Sequence, residues 1–232
     1  MQFRNLIKNA IAPYADLFRF GFRIGAKRAH QPLLINKDTE LVIEGFPRSA
    51  NTFAVVAFTK SQDRDVAIAH HLHAVAQIKL GVRQGVPVIV LIRRPEDAIR
   101  SLKVIFRQRA RNSALKVWLR FYEEVEPLRS HVVIADFARV ISDFGAVIDE
   151  MNAKYGTSFG RFEASPESVQ AVFDEIDAII HQTDHKTEGG KEMYVSRPTE
   201  AKRAAQKKVD LDLDPKLLAR ANALYERLTT SA

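Results

Sequence analysis

Residues Glu40–Phe58 read ELVIEGFPRSANTFAVVAF. A short apolar run leads into a segment rich in turn formers, and a second apolar run follows. That order predicts a buried strand, a tight loop and a helix, the setting in which phosphate-binding loops occur. Against the pattern G-x-x-x-x-G-K-[ST], Gly45 takes the first glycine and Thr52 the last hydroxyl. Ala50 stands where the second glycine would be, Asn51 stands for the lysine, and Arg48 supplies a cation three positions earlier. A strand-to-helix loop offers unpaired backbone N–H groups and a positive helix end to an anion. Ser49, Asn51 and Thr52 add polar side chains. The stretch therefore reads either as a degenerate ATP loop or as a complete loop for another anion.

Working outward, helix and strand patterns alternate. Leu41–Gly45, the run DVAIAH ending at His70, Val86–Ile92 and HVVIADF from His131 read as strands. The run VPVIVLI has no polar alternation, which suits a strand in the middle of a parallel sheet, covered on both faces. Helical segments lie between and after the strands, including VISDFGAVIDEMNAKYG as one helix. From about Ser165 the chain reads as helices around a polar loop. The expected fold is a three-layer α/β domain: a mostly parallel central sheet, helices on both faces, a P-loop-like strand–loop–helix and a helical C-terminal part. One domain spans 1–232. It comprises an amphipathic N-terminal segment at 1–30, a nucleotide-binding core at 38–160 and a helical part at 161–232, with a candidate lid loop at 182–203. In the N-terminal segment, Phe3, Leu6, Ile7, Ala10, Ile11, Tyr14, Leu17 and Phe18 recur at helical spacing, with Pro13 expected to kink or split the helix.

Composition narrows the partners. With 232 residues, 46% of them hydrophobic, the chain can bury one full core but hardly two. A formal charge of +7 favours anionic partners. There is no cysteine, which excludes disulfides and thiolate chemistry. No apolar run approaches the length of a membrane span, and the first residues lack the pattern of a signal peptide. A cytoplasmic protein is expected, with peripheral membrane contact through residues 3–28 as its one route to a bilayer.

Two further constellations fall at strand ends. In LIRRPEDAIRSLK, Arg93 ends a strand, Pro95 suits a first helical turn and Ser101 follows within that helix. In a parallel sheet neighbouring strand ends share one rim, so Arg93 and Ser101 can approach the loop at 45–53 and hold a second phosphate of the same ligand. A metal-dependent NTPase needs an acid near this point, and the chain places Arg93 and Arg94 there. The third constellation, IAHHLHA, puts His70, His71 and His73 on the same rim, where histidine is the side chain best suited to take a proton. No nearby Cys, Asp or Glu completes a zinc site there.

These three segments resemble the sulfotransferases. FPRSANTF resembles their 5′-phosphosulfate loop, Y-P-K-S-G-T-T-W; RRPEDAIRS resembles their 3′-phosphate segment, R-N-P-x-D-x-x-x-S; and IAHHLHA resembles I-K-T-H-L-P, which carries their catalytic histidine. The likeness covers roughly residues 40–105 in matching order. It implies a donor, 3′-phosphoadenosine 5′-phosphosulfate (PAPS), that leaves as the 3′,5′-bisphosphate (PAP), with no metal. It implies that Arg48 takes the place of the loop lysine, that Ser49, Ala50, Asn51 and Thr52 wrap the phosphosulfate, and that Phe53 stacks on adenine. Arg93 and Ser101 would bind the 3′-phosphate, and His71 would be the base, with His70 and His73 as alternatives. The C-terminal R-K-G motif is missing, and the 182–203 loop, with Gly189, Gly190, Lys191, Arg197, Lys202 and Arg203, is its candidate replacement. The acceptor is a small molecule, glycan or lipid bearing a hydroxyl or amine. Two other classes stand beside this one: a P-loop kinase with a degenerate loop, and a non-catalytic basic module. Aromatic residues are 9% and sit mostly at apolar positions, which argues against a nucleic-acid partner.

Overall fold

A computed structural model describes residues 14–25, 33–106, 111–182 and 197–230. The elements are α1 (Ala15–Gly25), β1 (Leu41–Gly45), α2 (Asn51–Ser61), β2 (Ile68–His70), α3 (Val75–Gln84), β3 (Val88–Ile92), α4 (Pro95–Ile105) and α5 (Arg111–Val125). After a 3-10 turn at Glu126–His131 come β4 (Val133–Asp136), α6 (Phe137–Ser142), α7 (Phe144–Tyr155), α8 (Pro166–Gln182), α9 (Glu200–Lys207) and α10 (Pro215–Thr229). No helix among the described residues is long and apolar enough to cross a membrane.

The sheet has the order β2-β1-β3-β4 and every pairing is parallel. This is the three-layer α/β arrangement expected from the alternating pattern. Side chains alternate between two cores along each strand. Val42, Val90 and Ile92 pack on the side of α3, α4, α5 and α10, and Ile43, Ile89 and Leu91 on the side of α2, α7 and α8. Both β1 and β3 are buried along their whole length, which explains the unbroken apolar sequence of β3 and of Leu41–Ile43 in β1. The chain leaves β1 for β2 on one side and returns to β3 on the other. The crevice between the ends of β1 and β3 is therefore the topological switch point, where ligands of open α/β sheets bind.

Two local features shape that crevice. Gly45 pairs with Leu91 so closely that a Cβ at 45 would lie 2.3 Å from the Leu91 carbonyl oxygen, so the position tolerates glycine alone without prying the strands apart. From α5, the buried Tyr122 hydroxyl accepts from Phe46 N (3.2 Å) and donates to Leu91 O (2.7 Å). Trp118 Nε1 on the same helix donates to Arg93 O at 3.3 Å.

The single helix expected over VISDFGAVIDEMNAKYG is two. The chain leaves helical geometry at Asp143, whose side chain accepts from Ala146 N (3.0 Å) and caps α7. The second strand covers Ile68–His70, half the length read from sequence. Within the N-terminal segment α1 is helical, and residues 3–13 and 26–28 lie outside the described residues. The same holds for 183–196, which includes Gly189, Gly190 and Lys191 of the candidate lid.

Candidate anion site at the sheet rim

The loop after β1 turns sharply before α2. Arg48 and Ala50 both take left-handed backbone conformations, with φ of 73° and 69°. The loop is fastened from inside: Asn51 Nδ2 donates to Phe46 O (3.1 Å), and Ser49 N donates to the same carbonyl at 3.3 Å. Ala50 precedes the helix with no side-chain cap, so the first-turn N–H groups of α2 are directed outward. A left-handed non-glycine residue costs about 1–2 kcal/mol. Ala50→Gly should relieve that, against about 0.4–1 kcal/mol of added unfolded-chain entropy. The expected net gain is up to about 1.5 kcal/mol, seen as a melting point up to a few degrees higher. A fall in melting point would show that the Ala50 methyl is needed where it packs.

The two segments expected to hold separate phosphates meet. Arg48 Nε donates to Ser101 Oγ at 3.0 Å, and Arg93 Nη1 donates to Arg48 O at 3.1 Å. Arg93 lies with its Cζ 4.0 Å from the Phe137 ring centroid, and its Nε is buried without a partner. Burial holds its pKa below the ordinary arginine value, against the opposing fields of Asp97 and Asp136. Arg94 turns away to Glu226 (3.2 Å) and the Tyr225 ring, the surface pairing expected of an ordinary cation.

Lys202 joins this cluster from α9. It is 5% exposed, its Nζ donates to Arg197 O at 3.1 Å, and its pKa is pushed down to about 7 by burial and then by the neighbouring charges of Arg48 and Arg197. Arg197 pairs with Asp177 at 3.2 Å, and its Nε is also buried without a partner. Depressed amine basicity and orphaned guanidinium donors are what cations show when gathered around a place for an anion.

The histidines sit at the end of β2 (His70) and on the loop after it, where His71 and His73 are also left-handed at φ 58° and 49°. Beneath them is Glu44 on β1, fully buried, a residue that the sequence reading left unremarked. One of its carboxyl oxygens accepts from Leu72 N (2.7 Å) and Gln77 Nε2 (3.1 Å), and the other from His73 N (2.9 Å). The signal was available: an acid inside a wholly buried strand must have partners. His73 Nδ1 donates to Gly45 O at 2.8 Å and so fastens its loop to β1. His71 Nε2 meets Thr52 Oγ1 at 3.1 Å, and its Nδ1 meets His70 Nδ1 at 2.5 Å. With the hydrogen on His71 Nδ1, Nε2 is left to accept from the threonine hydroxyl.

Burial, then the His70 and His73 charges, push the His71 pKa down to about 3, and burial pushes His70 to about 4. Both rings are neutral at pH 7. In the unfolded chain they titrate near 6.5, so below that pH the unfolded state binds more protons. Their contribution is complete above pH 6.5 and is lost as pH falls through 6.5 toward the folded values of about 4 and 3. Melting points from pH 8 to pH 4 should decline most steeply below about 6.5, and His71→Gln should flatten that decline. An unchanged slope in the variant would remove His71 as its cause.

Three expected ligands face inward instead. Ser49 is fully buried, Asn51 is 5% exposed and Phe53 is 2% exposed. The Phe53 ring packs against Phe162 and Phe173, at centroid distances of 6.2 and 5.9 Å, and has no free face for a base. For Asn51 and Phe53 the reason is that α2 is buried on most sides, so its first turn serves the core; Ser49 lies in the loop before it. Arg48, Ala50, Thr52, Arg93, Ser101 and His71 do gather at the rim. Among the described residues no group of three or more His, Cys, Asp or Glu could hold a metal ion.

No protein-family model and no curated protein matches the chain. Among solved structures it is similar to mouse sulfotransferase SULT7A1 complexed with PAP, at 10% identity and a TM-score of 0.46, over 85% of this chain and 86% of that one.

Proposed function

We propose that the rim site binds an adenosine nucleotide carrying two phosphate-type groups and transfers a sulfuryl group from PAPS to a hydroxyl or amine acceptor. The observation that carries this reading is the meeting of the two motif segments, Arg48 with Ser101 at 3.0 Å and Arg93 with the Arg48 carbonyl at 3.1 Å. The residues fit such a ligand, because Arg93 Nε has no partner and the Lys202 amine is held down by burial beside Arg48 and Arg197, with only Asp177 opposing. When bound, PAPS supplies the activated sulfuryl group and leaves as PAP.

The first-turn N–H groups of α2 and the Arg48 guanidinium hold one anionic group, and Arg93 with Ser101, in contact with Arg48, hold the second beside it. Arg48 keeps its proton throughout, so its role is electrostatic. Lys202, with a pKa of about 7, is the cluster's proton-exchanging cation. His71 Nε2 takes the acceptor's proton, and Thr52 keeps that nitrogen oriented before the acceptor arrives. An anion beside His71 raises its pKa from about 3, because it offsets the burial that lowered it.

Calorimetric titration with PAP beside ATP plus magnesium tests the reading. Metal-independent binding of PAP is expected, lost in Arg48→Ala. Affinity should weaken as pH rises above about 7, because the bound anion needs Lys202 protonated, and Lys202→Gln should remove that dependence. Binding of ATP with magnesium and not of PAP would replace this reading with a kinase. Binding of neither would leave a non-catalytic basic module.

A further inference from the structure

A second surface lies apart from the rim. The helix α1 divides into two faces. Phe18 is 1% exposed and packs with Leu34, Leu72, Ala74 and Ala76, with Ala15 and Phe22 beside it. On the other face Tyr14, Leu17 and Phe20 are 65%, 53% and 65% exposed. Among the described residues these are three of the seven exposed large hydrophobic side chains, gathered on the residue before α1 and its first two turns. Scattered single apolar residues are ordinary on a protein surface; a row of three large ones is not.

The charge around this face identifies its occupant. Residues 1–30 hold six Lys and Arg against one acid, so this stretch carries +5 of the chain's formal +7. The one acid, Asp16, is held by Arg83 at 2.7 Å and lies 3.8 Å from Arg19. An open depression beside α1 is lined by Arg19, Arg23 and Lys37, with Asn36, Asp38 and Gln84. Exposed aromatic and aliphatic side chains flanked by cations form the pattern of a helix that lies in a bilayer interface. A second copy of the chain fits worse, because a two-fold contact would set this positive segment against itself. A nucleic acid fits worse because Leu17 has no ring face to stack on a base.

We propose that the outer face of α1 docks the protein on an anionic lipid surface, with Tyr14, Leu17 and Phe20 entering the headgroup layer and Arg19, Arg23 and Lys37 meeting lipid phosphates. The test is co-sedimentation of the full chain with mixed phosphatidylserine–phosphatidylcholine vesicles, beside phosphatidylcholine alone. Partition into the anionic vesicles is expected, falling as salt is raised. Leu17→Glu and Phe20→Glu should each reduce it at least about tenfold, a loss on the order of 1.4 kcal/mol. Both side chains point outward, so the variants' melting points should match the parent's. Absence of partition by the parent would overturn the proposal, as would partition that both variants retain. A concentration-dependent dimer broken by the same variants would overturn it in favour of a second copy, and oligonucleotide binding that the same variants abolish, with no partition into vesicles, would overturn it in favour of nucleic acid. The measurement uses no nucleotide, so its failure leaves the rim reading untouched.

Discussion

Arg93→Ala is expected to weaken PAP binding by about 10- to 100-fold while the unliganded protein melts within a few degrees of the parent. The first half follows from the strength of a charge-assisted hydrogen bond, about 1.5–3 kcal/mol when the partner is ionised. The second half follows from what Arg93 does in the folded chain. Its guanidinium donates to Arg48 O at 3.1 Å and covers Phe137, but its Nε is buried unpaired and Asp97 and Asp136 act on it only through space. Removing a partly desolvated cation offsets much of the loss of those contacts. Sites that bind charge commonly cost the fold stability in this way. Arg93→Lys keeps the charge and loses the fork, so its affinity should fall between the two. Calorimetry and thermal melts decide the matter. If the alanine protein binds PAP as the parent does, Arg93 holds no phosphate and the two-phosphate reading fails. A collapse in melting point would instead make Arg93 a structural residue.

Glu44→Ala should carry the largest cost to stability of any change at the rim, about 3–5 kcal/mol: three donors lose their acceptor at about 1–3 kcal/mol each, and relief from burying a carboxylate offsets part of that. The substitution strands two backbone N–H groups, Leu72 N and His73 N, and one amide of Gln77, all inside the protein. Gln77 in turn serves the chain before β1: its Oε1 accepts from Ile35 N (2.9 Å) and its Nε2 donates to Leu33 O (3.0 Å). For a domain of this size the expected fall in melting point is on the order of 10 °C. Glu44→Gln keeps the shape but turns an N–H₂ group toward N–H donors, so it should recover only part of the loss. Hydrogen exchange supplies the local test: the amides of Leu72 and His73 should lose protection well before the strands do. A melting point within a degree or two of the parent would show that water can replace the carboxyl oxygens and that Glu44 does not position the histidine loop.

The strands and their order along the chain were legible because burial on both faces leaves an unmistakable sequence, as in VPVIVLI. The approach of Ser101 to Arg48 was legible too, through the rule that parallel strand ends share a rim. Facing was harder. The sequence NTFAVVAF is apolar nearly all round, so it offers no stripe by which to tell which side chains turn to the ligand and which to the core; the inward turn of the Phe53 ring was illegible for that reason. Lys202 stood among several cations of a polar loop, and nothing local set it apart, since its burial depends on where α9 lands. Trp118 and Tyr122 lie on α5, in a segment whose sequence says only that it is helical. Their polar atoms reach strands 25 and 31 residues away, a relation that no local pattern encodes.

Tyr122 has a further consequence. Burial raises its pKa, so the phenol keeps its hydrogen and remains at once an acceptor from Phe46 and a donor to Leu91. One hydroxyl thus stands as a wedge just beyond the point where β1 and β3 part. The mouth of the crevice is set by a helix on the far side of the sheet, and it is set during folding. A ligand arriving there does not have to order the loop that receives it; the entropy of alignment falls on the folding reaction rather than on association. On the proposed reading, the receiving loop is in place before the ligand is, and the placement of Arg48 and Arg93 does the sorting.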